Sequence, residues 1–306
     1  MLLPADNTEI TMARTPKARA LGAALRQARE DKGLVLREVA AAISRDIGVL
    51  SRWETGERSP KPEQVAQILT KLEVDSELYD EIMTLAYRTN ESQWVATSLP
   101  EQKQQMVAYV DWEQNATKIV EVAPLLIPGL LQTRDYIHAI MTTGRAPIGE
   151  IASRVTSRIG RRDVIDKPRP AHLLVLLGQA ALNQEIGGRK AMIEQIRHLL
   201  KMAAQPNVEL RVVPDHRDWH PGLEGAFTFI EARRAAIKPE SIVFVGTRRS
   251  VLMLHENDDV DAYKAAIDRI KEAALSADAS VKLVADIGKR MERKGDSSGH
   301  VAEVAS

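Results

Sequence analysis

The period of the apolar residues changes once along this chain, near Pro168 and Pro170, and that change limits the folds open to it. Before the prolines, apolar side chains recur at spacings of three and four. Leu21, Leu25 and Ala28 form one such set with Arg29 beside them, Leu36, Val39, Ala40 and Ile43 a second, and Val65, Ala66, Ile68, Leu69 and Leu72 a third. That spacing places each set on one face of a helix. After the prolines come short runs rich in β-branched residues, HLLVLL, VELRVVP, AFTFIEA, SIVFVG and VLMLHE, bounded by Pro, Gly or Asn as strands commonly are. The expected fold class is an all-α amino-terminal bundle followed by an α+β domain. Its sheet of about five strands is covered by helices near residues 190–204, 260–275 and 278–293.

Punctuation divides the helical part further. Gly33 ends the first helix, Asp46 stands where it caps a short helix over 47–54, and Ser59, Pro60 and Pro62 break the chain and restart it. Helical patterns continue over 77–88, 101–119, 133–141 and, rich in arginine, 152–164, with an apolar loop at 122–132. The domains read as a flexible arm (1–15), a bundle (16–74), connecting helices (75–119), the α+β domain (120–293) and a loose polar tail (294–306).

The chain has 306 residues, 44% of them apolar, enough for real cores. Its twelve aromatics leave those cores to Leu, Ile, Val, Ala and Met and count against aromatic-lined sugar clefts. With no cysteine, disulfides, thiolate catalysis and Cys-ligated zinc are excluded, and a reducing compartment is the natural home. The opening MLLPADNTEI lacks the apolar core of a secretory signal, and no apolar run approaches the roughly 20 residues that span a bilayer, so no membrane partner and a cytoplasmic location are expected. No Gly-x-Ser-x-Gly, Walker-type or Rossmann glycine loop is present, so neither catalysis nor a cofactor is expected. The acids and histidines Asp215, His216, Asp218 and His220 read as a polar surface loop rather than a metal site.

Net charge is zero, but its distribution is not even. Residues 14–61 carry eleven basic against six acidic side chains, a net of +5, while residues 63–81 carry one against six, a net of −5. Positive charge confined to one small region is the footprint of a phosphate backbone. Within it, residues 33–60 form a helix, a tight turn and a second helix that pack through Val39, Ala40, Ile43, Leu50 and Trp53, leaving the far face of the second helix free to enter a major groove about 12 Å wide.

This segment resembles the helix-turn-helix of the xenobiotic-response-element family, which includes lambda-type repressors. The resemblance is carried by Glu38, Val39 and Ala40, then Leu50-Ser51-Arg52-Trp53-Glu54, Gly56 and Ser59-Pro60. It implies that Ile47, Gly48, Ser51 and Arg52 face bases, with Arg52 able to bond guanine and Ile47 to press on a thymine methyl. It also implies that Arg29 and Glu54 form an interior ion pair. Around the readout residues, Arg37, Arg45, Asp46 and Arg58 complete the DNA-binding set, Arg37 and Arg58 as phosphate contacts. Leu36, Arg45 and Gly48 depart from the family pattern, which shifts weight from a rich base code to Arg52, Arg45 and DNA shape. Modules of this kind bind paired half-sites, so a homodimer on double-stranded operator DNA is expected.

From about Trp94 to Met291 the chain resembles the domain of unknown function that follows such helix-turn-helix modules in actinomycete regulators, some of them antitoxin-like. The carriers include IPGLLQT from Ile127 to Thr133, Tyr136, Ile186-Gly187-Gly188, PNVELRVVP from Pro206 to Pro214, and His220-Pro221-Gly222. The resemblance implies a small partner protein encoded nearby. Candidate partner or ligand residues are Pro128, Gly129 and Gln132, the arginines Arg154, Arg158 and Arg161 that share a helix face by their spacing, and His220. Two other readings stay open: an interaction scaffold that sequesters a neighbouring protein, and an enzyme in the carboxyl-terminal domain.

Overall fold

The computed structural model describes residues 15–87, 93–95, 99–232, 240–247 and 251–303. In chain order it contains α1 (Pro16–Asp31), α2 (Leu36–Ala42), α3 (Ile47–Glu54), α4 (Pro62–Lys71), α5 (Ser76–Ala86), β1 (Gln93–Val95), α6 (Leu99–Gln114), β2 (Ala116–Ala123), α7 (Arg134–Thr143), α8 (Ile148–Gly160) and the single turn α9 (Asp163–Asp166). There follow β3 (His172–Gly178), α10 (Gln179–Asn183), α11 (Arg189–Ala203), β4 (Val208–Val213), β5 (Phe227–Ala232), β6 (Glu240–Gly246), β7 (Val251–Leu254), α12 (Asn257–Ala273) and α13 (Ala277–Glu303). The chain forms two compact units, one built on residues up to Tyr109 with Thr247–His255, the other on Val110–Gly246 with Glu256 onwards.

The first unit is a small helical bundle whose helices begin where side chains can cap them. Thr15 accepts from Ala18 N at 3.0 Å and Pro16 follows at the first helical position, where a missing N–H costs nothing. Asp46 accepts from Gly48 N and Asp75 from Leu78 N, both at 2.8 Å. Gly33, at φ +69°, supplies the left-handed residue that closes α1. Leu21, Leu25, Val39, Leu50, Trp53, Val65, Ile68 and Leu69 meet in the core. In the same unit β1 pairs antiparallel with β7.

The second unit holds a sheet in the order β6-β5-β2-β3-β4, with β2, β3 and β4 parallel and β2, β5 and β6 antiparallel. Leu173 to Leu177 of β3 are all buried, so both faces of this strand are covered, as a continuous apolar run requires. The open edge of β4 is closed by the α12–α13 connection and the start of α13: Val212 N donates to Ser280 Oγ at 2.8 Å and Leu275 N to Val212 O at 2.9 Å.

All five runs expected as strands are strands, and β1 and β2 are additional. The helix expected over 101–119 stops at Gln114, and β2 takes the residues that follow, including part of the expected apolar loop. In ATKIVEVA the β-branched Thr117, Ile119, Val120 and Val122 suit a strand, and Val120 pairs with Leu174 on one side and Phe229 on the other. The basic helix begins earlier than its arginines suggest, at Ile148. Helical backbone continues past Arg293 to Glu303, into residues read as a loose tail. The amino-terminal arm lies outside the described residues except for Thr15. Among the described residues no helix is long and apolar enough to cross a membrane.

Candidate nucleic-acid interface

Between α2 and α3 the chain reverses through Ser44, which adopts φ +54°, a left-handed turn uncommon for a residue with a side chain. The reversal sets α3 against α2 with Leu50, Trp53 and Glu54 turned inward. Residues one turn apart on the other side, Ile47 with Ser51 and Gly48 with Arg52, form the outer surface. Ile47 is 47% exposed, an aliphatic side chain left in water beside a well-filled core. Arg52 is exposed, and so are Arg37, Arg45 and Arg58; none of the four makes an ion pair among the described residues.

Two members of this surface have local tasks. Asp46 is committed to capping α3 through Gly48 N, so of the eight residues expected at DNA it is the one whose side chain is already engaged. A methyl group built on Gly48 would lie 2.9 Å from Asp46 Oδ1 and 3.5 Å from Arg52 Nη1. Glycine there costs about 1 kcal/mol of helix propensity, but it clears the Asp46 cap, while the distance to Arg52 is ordinary contact.

What holds α3 in place is buried. Arg29 Nε donates to Glu54 Oε1 at 2.7 Å and Nη2 to Oε2 at 2.8 Å, a bidentate pair with both side chains under one-tenth exposed. Arg29 Nη1 donates to Leu34 O at 2.8 Å, tying in the start of the α2 turn. The hydrogen bond to Glu54 raises the Arg29 pKa above its usual value against the opposing effect of burial. Gly22, which the sequence did not single out, is where α1 meets the end of α3: a Cβ there would sit 2.4 Å from Trp53 O and 2.7 Å from Glu54 O. Any side chain at this position pushes the two helices apart.

In the second unit the candidate residues fall into separate groups. Pro128 and Gly129 open a short 3-10 turn, and the carbonyls of this IPGLLQT loop are bonded inward. Gln132 Nε2 donates to Ile127 O at 2.7 Å, Gln195 Nε2 to Leu131 O at 2.7 Å, and Arg162 to Leu130 O and Gln132 O at 3.1 and 2.7 Å, while Gln195 Oε1 accepts from Thr133 N. Gln132 is buried and Arg158 donates to its Oε1 at 3.3 Å. These groups brace one another.

The three arginines do not act as one basic face. Arg154 pairs with Glu150 at the surface, at 2.6 Å. Arg161 turns inward to Glu113, Nε to Oε1 at 2.8 Å, with the glutamate fully buried. The spacing i, i+4, i+7 was sound for a helix, but α8 ends at Gly160, so Arg161 follows the turn rather than the face. Behind this pair lies Glu121 of β2, which the sequence reading passed over. Burial, with the nearby Glu113 charge adding to it and Arg161 opposing, pushes its carboxyl up to about 7.

His220 stands apart from all of these. It lines a cleft of about 180 Å³ at the carboxyl ends of β2, β3 and β4, together with Val122, Gly178, Val213 and Gly222. Burial lowers its pKa below the usual histidine value.

A sequence model described as a helix-turn-helix domain matches residues 20–82, and a model described as a domain of unknown function (DUF5753) matches residues 106–286. No curated protein and no solved structure matches the chain.

Proposed function

Because the chain belongs to the DUF5753 family, whose model covers residues 106–286, and carries a helix-turn-helix domain ahead of it, we propose that it is a dimeric, sequence-specific transcriptional regulator of the xenobiotic-response-element type. The observation that carries this is the outer face of α3: a half-exposed Ile47 and an unpaired Arg52 on a helix locked from behind by Arg29 and Glu54, with Arg37, Arg45 and Arg58 around it. A rigid helix with an apolar residue and a guanidinium on its outer side suits the major groove, where a thymine methyl and the guanine O6 and N7 acceptors are presented. The surrounding cations suit phosphates, which position the protein without reading sequence.

In this reading Arg52 reads a base and Arg37 a phosphate, and the two are separable. Arg52→Ala weakens binding to the specific operator by about 1–3 kcal/mol and leaves random DNA nearly untouched. Arg37→Ala weakens both alike and lowers the slope of log K against log salt by about 0.9. Fluorescence anisotropy on both DNAs across a salt series reads the two quantities. Equal losses on both DNAs for Arg52→Ala remove it from readout.

Two copies are expected on half-sites centred about 34 Å apart, or a multiple of that, because the module presents a single recognition helix. Footprinting on the bound promoter, with mass photometry of the free protein, checks this; a monomer on an unpaired site overturns it. The second unit modulates the first by binding a small partner protein, in the manner of antitoxin-like regulators, or a ligand. A regulator of this kind works where the chromosome is, in the cytoplasm, and acts by binding rather than by turnover.

A further inference from the structure

Three parallel strands end side by side at the cleft: Val122 and Pro124 at the end of β2, Leu176 and Gly178 of β3, and Val213 and Pro214 of β4. The crevice beyond the carboxyl ends of parallel strands is where open α/β sheets receive ligands, since the chain must leave each strand there and the loops diverge. β2 is also where the sheet changes sense, parallel toward β3 and antiparallel toward β5.

The walls are mostly apolar, with Ile270 of α12 and the 3-10 turn at Pro221–Leu223 closing one side. Glycine lets two parts of the lining approach closely. A side chain at Gly178 would strike Pro124 O at 2.2 Å, and one at Gly222 would meet His220 Nδ1 at 2.9 Å. His220 is 8% exposed, and its Nδ1 is shut off from solvent with no hydrogen-bond partner among the described residues. The Nδ1 edge packs against Gly222, so Nε2, the ring nitrogen not shut off from solvent, is the one that a hydroxyl in the cleft can reach. At the mouth, Leu125 and Leu223 are each about 60% exposed, so apolar surface continues from the cleft to its entrance. Asp215 and Arg217 also line it, and their opposite charges favour neither an anion nor a cation.

We propose that this cleft binds a small neutral effector with a compact apolar body and one hydroxyl that hydrogen-bonds to His220. A 150 Å³ apolar cavity accepts benzene, so a volume of about 180 Å³ accommodates roughly six to ten non-hydrogen atoms, with any longer tail projecting past Leu125 and Leu223. A protein partner is the poorer fit, because a stable protein interface needs about 800 Å² from each side and the recess admits only a single side chain.

Phenol and toluene are the probes, equal in size and different in the hydroxyl alone. Saturation-transfer NMR and thermal shift on the full chain without DNA are expected to show phenol binding at least fivefold tighter than toluene. His220→Phe brings the two together. Ala180→Leu, which fills the cleft from α10, weakens both at least tenfold, and Leu223→Arg at the exposed mouth does so without touching the core. Circular dichroism of each variant secures the comparison. No binding of either probe at millimolar concentration overturns the proposal, as does unchanged binding in both Ala180→Leu and Leu223→Arg; equal affinity for the two probes overturns the role of His220. The regulatory consequence rests on the DNA-binding reading and is measured separately, as a change of at least threefold in operator Kd when the cleft is filled. Absence of any DNA complex overturns that reading while the occupancy of the cleft stands on its own data.

Discussion

Glu54→Ala is expected to destabilise the first unit by about 3–5 kcal/mol, enough to leave much of it unfolded at ordinary temperatures. The loss comes less from the attraction itself than from what remains. Arg29 keeps its charge in a site under one-tenth exposed, and it has only Leu34 O and a long 3.4 Å contact to Glu30 for company. Replacing both partners by apolar residues of similar volume separates these effects. Arg29→Met with Glu54→Leu removes the stranded charge and is expected to recover most of the loss, though not all, because Leu34 O then has no donor. Chemical denaturation followed by far-ultraviolet circular dichroism reads the stability. DNA binding reads the consequence, with specific and random DNA losing affinity in parallel because the whole helix is released. A Glu54→Ala protein within 1 kcal/mol of the parent would show that the pair does not brace α3.

The second large effect is a dependence on pH seated in the other unit. The Glu121 carboxyl holds its proton up to about 7 in the folded chain, whereas its ordinary value is 4.5. Between those values the folded state binds more protons than the unfolded one, so raising the pH favours unfolding. The contribution of the group is fully present below pH 4.5 and lost once the pH passes about 7. With about 1.36 kcal/mol for each pH unit, the change amounts to roughly 3 kcal/mol. Glu121→Gln keeps the shape, cannot ionise, and is expected to be the more stable protein at pH 8 and nearly equal to the parent at pH 4. Denaturation of the two proteins in parallel at pH 4, 6 and 8 isolates this group, since every other titration is common to both. A difference that stays constant across the three pH values would mean that the carboxyl is not shielded.

The outer face of α3 was legible because everything that shapes it is local. Asp46, the period of Leu50 and Trp53, and the arginines around them lie within about twenty residues, and capping and helical spacing are properties of neighbours in sequence. The task of Gly22 was not legible, since the carbonyls of Trp53 and Glu54 reach it only after α1 and α3 pack. Arg161 shows the same limit from the other direction. Its spacing from Arg154 and Arg158 put it on a common face, but the helix ended one residue earlier and Glu113, 48 positions away, drew it inward.

Strand β2 shows how a short apolar segment escapes such a reading. ATKIVEVA follows a helix without a strong break, and a charged residue in its centre argues against a buried strand. Only the edges offered by β3 and β5 make the extended form the better one, and that position buries Glu121. The cleft depends on the same event, because its floor is made of strand ends distant in sequence.

Residue order alone decided where the capped helices of the first unit begin, that a helix-turn-helix stands near the amino end, and that five strand runs follow Pro170, since caps, periods and turn residues act over a few positions. Tertiary packing alone decided which charges are buried, where β2 lies in the sheet, and that His220 lines a recess with an unbonded nitrogen. Burial and pairing are relations between residues far apart in the chain, and their free energies exist only once those residues have been brought together.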